Sequence, residues 1–381
     1  MAHVKVSKRD HPPIWKYSHS FKFVTSNDSG HVSIYSSKRA AAAGKSKEKY
    51  DFDPEKFFGE TNSKKPGTLT VHEFGTALFK ALFSGAAGAS LTKMNPDDCI
   101  LLEMDDDDLD AIPWEYSKDL KDSNGSKDSR FLVHLHKFAR LQSSQNSLLP
   151  SSTPLRIVTA VPDPIYLSRK FPDLYLSDEV QVFINGFTEM EKAVYLKRAF
   201  PPTRERTIEL LGDDSASATV FHFMGHCVQK GLVFENNNGN EEYVEASRLS
   251  IVSNKLQLAF LSACDTREIA QSLARRGIPY TIGSNRAILN NHARKFESGF
   301  YRFLANNHTV EEAMHNARLQ FHEPVDDHFV GAMVLYLPTA TLTRKERVLF
   351  ECNDGKPDIV EHMPRNNPSG LYTMEKELSK L

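Results

Sequence analysis

The chain has 381 residues, 40% hydrophobic and 25% charged, an ordinary globular mix with room for two or three domains. A net charge of -2 gives no ground for nucleic-acid binding, and no apolar run reaches the roughly 18 residues of a membrane-spanning helix. Four scattered cysteines, Cys99, Cys227, Cys264 and Cys352, form no C-x-x-C pair, and the N-terminal stretch has no apolar signal-peptide core, so a cytoplasmic location is expected.

Residues 21–35 read as a hairpin, two alternating runs around Asn27-Asp28-Ser29-Gly30. Residues 36–66 are polar and read as a loop. A helix starts at Thr70, with Glu73 placed for a capping box and an apolar stripe of Phe74, Leu78, Phe79, Leu82 and Phe83. A buried strand, Ile100 to Leu102, then runs into four aspartates and Ile112-Pro113-Trp114-Glu115. The aspartates lack the spacing and glycine of an EF-hand and read as a solvated acidic loop. Residues 117–130 are polar, and 142–154 read as a linker.

From Leu155 an α/β rhythm begins. "LRIVTAV" is a strand stopped by Pro162-Asp163-Pro164. Residues 178–187 read as a helix, "KAVYL" as a strand and 203–211 as a short helix. "ATVFHFM" and "KLQLAFLSA" are buried strands separated by the hairpin "GLVFENNNGNEEYVE". A helix from Thr266 ends at Gly277, followed by the strand "IPYTIGS". Helices over 290–305 and 309–321 precede a last strand, "FVGAMVLYLP". Apolar strands alternating with helices predict a mostly parallel sheet covered on both faces.

Ligands of such sheets collect beyond the carboxyl ends of the strands. His226 lies just past one such end and Cys264 just past another, 38 positions on, with enough chain between for a parallel crossover. A free thiol has a pKa of about 8.5, and a histidine beside it can take its proton and return it to a leaving amine. The amides of Gly225 and Cys264 are candidates to face an oxyanion, and Ser262 and Ala263 are small enough to leave a cleft around the sulfur. His222, inside the strand, reads as a hydrogen-bonded structural residue and Cys227 as a packing residue. A zinc site from His222, His226, Cys227 and Cys264 is disfavoured, because the side chains of adjacent residues point apart on an extended chain. No cofactor or metal is expected.

"HFMGH" followed by "LSACDT" resembles the paired signatures of CHAT domains, the caspase-like branch related to separases and caspases. "LLEMDDDDLDAIPWEYSKD", "LRIVTAVPDP", "ARRGIPYTIGSNRAI", "ARKFESGFYRFLANNHTVEEAMHNARLQF" and "GAMVLYLP" follow the family's order, so the resemblance spans about residues 69–340. It departs at Cys227, where the family usually has glycine.

The resemblance implies a caspase-like α/β fold with a mostly parallel sheet flanked by helices. It divides the chain into an N-terminal hairpin and polar loop region (1–68), an N-terminal half that is a pseudo-subunit or regulatory part (69–150), a catalytic core (151–345) and a charged tail (346–381). It implies His226 as base and Cys264 as nucleophile of an endopeptidase in a regulated prokaryotic defence or cell-death system. The implied partners are a protein substrate and an upstream activating sensor or protease. The alternative is a catalytically silent CHAT adaptor. The family's P1 position falls on Asp163, Ser262, Ser284 and Asn285, where no arginine invites an acidic side chain and Asp163 favours a basic one.

Overall fold

A computed structural model describes residues 71–83, 91, 99–104, 107–119, 130–142, 155–165, 167, 194–212, 219–228, 231–249, 256–286, 288, 290–321, 327–338 and 348–349, with strand segments at 2–6, 15–18, 22–26, 29–33 and 49–52. The N-terminal strands are β1 (Ala2–Val6), β2 (Trp15–Ser18), β3 (Lys22–Ser26), β4 (Ser29–Ser33) and β5 (Lys49–Phe52). Helix α1 (Val71–Phe83), β6 (Cys99–Met104), the short α2 (Asp107–Asp110) and α3 (Leu132–Leu135), and β7 (Lys137–Gln142) follow. Then come β8 (Leu155–Ala160), β9 (Val194–Arg198), α4 (Arg204–Gly212), β10 (Val220–Met224), β11 (Cys227–Val228), β12 (Gly231–Glu235) and β13 (Glu241–Glu245). The chain continues through α5 (Ala246–Leu249), β14 (Leu258–Ser262), α6 (Arg267–Arg275), β15 (Tyr280–Ser284), α7 (Asn290–Ala305), α8 (Val310–Arg318), α9 (Asp327–Val330) and β16 (Met333–Pro338).

The body of the molecule is the run β6-β7-β16-β15-β14-β10-β8-β9, extended past β6 by β1, β4 and β3. Within the body every neighbouring pair is parallel except β15–β16. This is the caspase-like, mostly parallel sheet flanked by helices that the sequence predicts. The hairpin expected over 21–35 is the antiparallel pair β3–β4. The polar stretch 36–66 contains β5, which pairs with β2; the rest of that stretch, the helix over 178–187, the linker residues 143–154 and the tail from 350 lie outside the described residues. Phe329 and Val330, read as the start of the last strand, close α9 instead, and β16 begins at Met333.

The strands carry little polar alternation because both faces are covered. Val220 and Met224 of β10 join the core beneath α7 and α8, whereas Phe221 and Phe223 join the core beneath α6. Leu258 and Phe260 of β14 face the first core and Ala259 and Leu261 the second. Phe260 is ringed by Phe296, Phe300 and Tyr301 of α7. Gly277, at φ 111, ends α6 in a conformation that side chains rarely adopt. Thr309 and Glu312 form a reciprocal capping box that starts α8.

The acidic segment is not a solvated loop throughout. Asp107 is exposed and pairs with Arg275, but Asp110 is buried at 2% exposure. Its Oδ2 accepts from Arg267 Nη1 at 2.6 Å and from the Tyr336 hydroxyl at 2.5 Å, and its Oδ1 lies 3.1 Å from Arg140 Nη1. Arg140, itself buried, grips Glu115 with Nε at 2.8 Å and Nη2 at 2.7 Å. Local composition reads as exposed here because the neutralising partners come from β7, α6 and β16. Buried charges persist when paired and hydrogen-bonded in this way.

Candidate active site

Strands β10 and β14 are adjacent and parallel, and their last registered partners are Met224 and Ser262. His226 and Cys264 each follow two residues later, so both leave the sheet from the same edge. The Gly225 amide donates to Ser262 O at 3.1 Å, which carries the ladder one residue past the strand. That amide is therefore committed to the sheet, which corrects the expectation that it faces an oxyanion. A side chain at Gly225 would sit 3.2 Å from the Phe223 ring and 3.5 Å from Pro162 O. The contact with Pro162 would be ordinary, and the Phe223 ring would have to give by a few tenths of an ångström, so the position is snug for any side chain. The closeness of Pro162 also places the Pro162-Asp163-Pro164 turn beside His226.

The turn after β14 is held from below. Ser284 Oγ donates to Ala263 O at 2.6 Å, and the Ser284 amide donates to Thr266 Oγ1 at 3.0 Å. Thr266 Oγ1 in turn donates to Leu261 O at 3.1 Å. Ser284 is fully buried, so it clamps the cysteine turn and lines no open pocket, contrary to the sequence reading. Asp265 follows Cys264 with φ 53, a left-handed conformation that aspartate tolerates better than most side chains. Arg267, three residues past Cys264, is anchored on Asp110.

Burial pushes the Cys264 thiol above its ordinary pKa, a hydrogen bond from the Ile288 amide pulls it down, and Asp265 adds to the rise. Burial pushes the Cys227 thiol up to about 12, with Asp265, Cys264 and Glu268 adding to it. Cys227 is therefore held as the neutral thiol. Burial lowers the pKa of His226, and the carboxylate of Glu241 works against that fall. Both directions favour the uncharged form, imidazole at His226 and thiol at Cys264.

His222 serves a different face. Its Nδ1 lies 2.7 Å from the Tyr301 hydroxyl, its ring stacks on Phe260 at 4.8 Å, and burial lowers its pKa to about 3. It is bound into the core with α7, away from the edge that carries His226. Among the described residues no three His, Cys, Asp or Glu side chains group to hold a metal.

Of the expected pocket residues, Asp163 is exposed in the turn after β8, and its amide donates to Glu235 Oε1 at 2.7 Å. Ser262 is half-buried and donates its hydroxyl to Glu297, a buried carboxylate of α7. Asn285 is half-buried and turned to Glu115, 3.2 Å from Oε2. Sequence reasoning missed Glu297 and Glu241. Glu297 reads as one more polar position of an amphipathic helix, and Glu241 as a hairpin residue. Only strand register reveals that Glu241 shares a face with His226.

No curated protein matches the chain. Among solved structures it is similar to the Arg-specific cysteine proteinase gingipain R (RgpB) of Porphyromonas gingivalis, at 10% identity and a TM-score of 0.45, over 75% of this chain and 69% of that one. It is also similar to a chain of the Saccharomyces cerevisiae separase–securin complex, at 14% identity and a TM-score of 0.35, over 64% of this chain and 15% of that one. A secreted C11 cysteine protease from Bacteroides thetaiotaomicron, in complex with an irreversible peptide inhibitor, is similar at 13% identity and a TM-score of 0.30, over 43% of this chain and 57% of that one. Among the described residues no helix is long and apolar enough to cross a membrane. The CHAT domain family matches residues 72–363, well over half the sequence, and the chain belongs to that family.

Proposed function

We propose that the chain is a cysteine endopeptidase that cleaves a protein substrate with Cys264 as nucleophile and His226 as base. The observation that carries this reading is the matched position of the two residues past the paired ends of β10 and β14. In the proposed cycle His226 takes the Cys264 proton as sulfur attacks the peptide carbonyl, and returns it to the leaving amine. Water then attacks the thioester, giving up its proton to His226 and releasing the acid and the thiol. The Cys264 amide is the backbone donor that remains assigned to the oxyanion. Asp163 in the turn after β8 supports a basic rather than an acidic P1 side chain.

Our reading extends to a cytoplasmic role in a regulated defence or cell-death system, under an upstream sensor or protease; family membership is what supports it. One observation favours the adaptor reading: burial raises the Cys264 pKa, as in an inert packed thiol. Labelling with a peptide electrophile decides between them. Selective labelling at Cys264 that needs His226, with cleavage of a peptide library lost in Cys264→Ala, supports the peptidase. Labelling no faster at Cys264 than at Cys227, with no cleavage under any activating condition, supports the adaptor.

A further inference from the structure

The three-stranded sheet β11-β12-β13 packs its registers next to His226. The Val233 amide donates to His226 O at 3.0 Å, and Val233 stands opposite Tyr243 across β12–β13. Directly opposed residues project to one face, as do residues two apart along a strand. His226, Val233 and Tyr243 therefore share a face with Glu235 and Glu241, which oppose each other two positions further along.

On that face Glu241 is half satisfied. The Tyr243 hydroxyl donates to its Oε2. Its Oε1 is buried and has no hydrogen-bond partner among the described residues. A buried carboxylate oxygen without a donor is costly and rare, so a donor is called for. By register Glu241, Tyr243 and Glu235 share the face of His226; Asp163 meets Glu235, and Cys264 and Asp265 act on the neighbouring Cys227. The His226 imidazole is a side-chain N–H donor on this face; β12 lies between its strand and that of Glu241, and the two do not hydrogen-bond here, as catalytic contacts are often long until substrate binds. Glu241 is also the group that raises the His226 pKa against burial.

We propose that Glu241 is a positioning residue for His226: its Oε1 accepts the imidazole N–H on the side away from Cys264 and fixes the ring for proton exchange with the thiol. The assignment rests on His226 being the base. A carboxylate behind a histidine selects its tautomer and stabilises the imidazolium that forms as the thiol ionises. Tyr243 holds the other oxygen, so the carboxylate is itself oriented. The device depends on the hairpin between β10 and β14, not on the residues that flank the cysteine.

The test reads the contact apart from the chemistry. The full chain carrying Cys264→Ala is labelled at histidine, the His226 signal is assigned by its loss in His226→Asn, and its titration is followed by NMR. Glu241→Gln is expected to lower the His226 pKa by about half a unit or more, and Tyr243→Phe to lower it by less. In the active chain Glu241→Gln should lower kcat with little change in KM, and move the His226 limb of the pH–rate profile to lower pH. Glu241→Asp should restore part of the rate. An identical His226 titration in the parent and Glu241→Gln overturns the proposal even if the chain is a peptidase. A shifted titration in a chain that cleaves no peptide keeps the contact and rejects the proposed function. If Glu241→Gln fails to fold, Glu241→Asp and Tyr243→Phe read the same contact, and an unmoved titration in both overturns it.

Discussion

His226 and Cys264 stand at matching heights, each two residues beyond the paired Met224 and Ser262 of neighbouring parallel strands. Neither strand alone would make the proposed site; it needs their register. Truncating either side chain at this edge opens no large core cavity, so the fold should survive. Cys264→Ala and His226→Ala are each expected to abolish cleavage while leaving the melting temperature within a few degrees of the parent. Cys227→Ser should keep most of the activity, because that thiol is held neutral. Loss of activity in a folded Cys227→Ser, or full activity in either of the other two, would show that the wrong groups were chosen.

The pKa directions predict a quiet resting thiol. Burial raises the Cys264 pKa and lowers that of His226, so both directions favour the uncharged form near neutral pH. Alkylation of Cys264 by iodoacetamide should be slower at pH 7 than that of free cysteine and climb steeply above about pH 9. Mass spectrometry of the modified peptide gives the rate. Fast labelling that persists down to pH 6 would reveal a preformed thiolate–imidazolium pair instead.

His222 should make the fold acid-sensitive. Its folded pKa is depressed to about 3, so it stabilises the fold above its ordinary value and that contribution is lost as pH falls from there toward 3. Over this window the unfolded chain binds a proton that the folded chain refuses, at a cost on the order of 3–5 kcal/mol. Denaturant midpoints of the parent should therefore fall more steeply between pH 7 and 4 than those of His222→Gln. Parallel slopes would mean that His222 is protonated inside the fold or that its neighbours relax around it.

The buried strands from Leu155 onward, the helix after Cys264 and the places of His226 and Cys264 at strand ends were legible because each depends on local pattern, whereas β1, β2, β5, β7 and the order in which the strands pair were not. Apolar runs without alternation announce strands buried on both faces, and reactive residues at their ends stand out against them. Asp110 was not legible, since Arg267 and Tyr336 lie 157 and 226 positions away along the chain. Ser284 read as a pocket residue because it follows a strand, yet its hydroxyl turns back to Ala263 and Thr266. Glu241 required the registers of two further strands. What escaped the sequence is therefore polar and long-range: side chains whose partners no local window contains.

The buried knot around Arg140 ties residues 107–119 to the helix that follows Cys264. Removing Arg140 leaves Asp110 and Glu115 buried with fewer cations, whereas removing Arg267 leaves Asp110 with Arg140 and Tyr336. Arg140→Met is expected to cost about 3–5 kcal/mol of stability, and Arg267→Met less. Urea unfolding of both variants tests the order. A loss below about 0.5 kcal/mol for Arg140→Met would show that the knot is replaceable by packing.

Substrate charge is the last consequence, and it rests on the turn after β8. Asp163 is exposed and follows Pro162, whose carbonyl lies near Gly225, and its amide is fixed by Glu235, so the backbone is held at the turn. Partial desolvation raises the pKa of the Asp163 carboxyl, and burial raises that of Glu235, which the hydrogen bond from the Asp163 amide lowers, the Asp163 charge raises and Arg198 lowers. A cationic substrate side chain would relieve this crowding of acids, whereas an acidic one would add to it. Peptide-library profiling should therefore show cleavage after lysine or arginine in preference to aspartate. Added salt should weaken the preference, because Asp163 is open to solvent. Asp163→Asn should lower kcat/KM for basic peptides by about two- to fivefold and leave neutral peptides nearly unchanged. Preferential cutting after aspartate by the parent would reverse the charge argument. An undiminished basic preference in Asp163→Asn would shift the selecting carboxylate to Glu235 or to Glu297 beneath Ser262, and the same profile run on Glu235→Gln and Glu297→Gln separates those two.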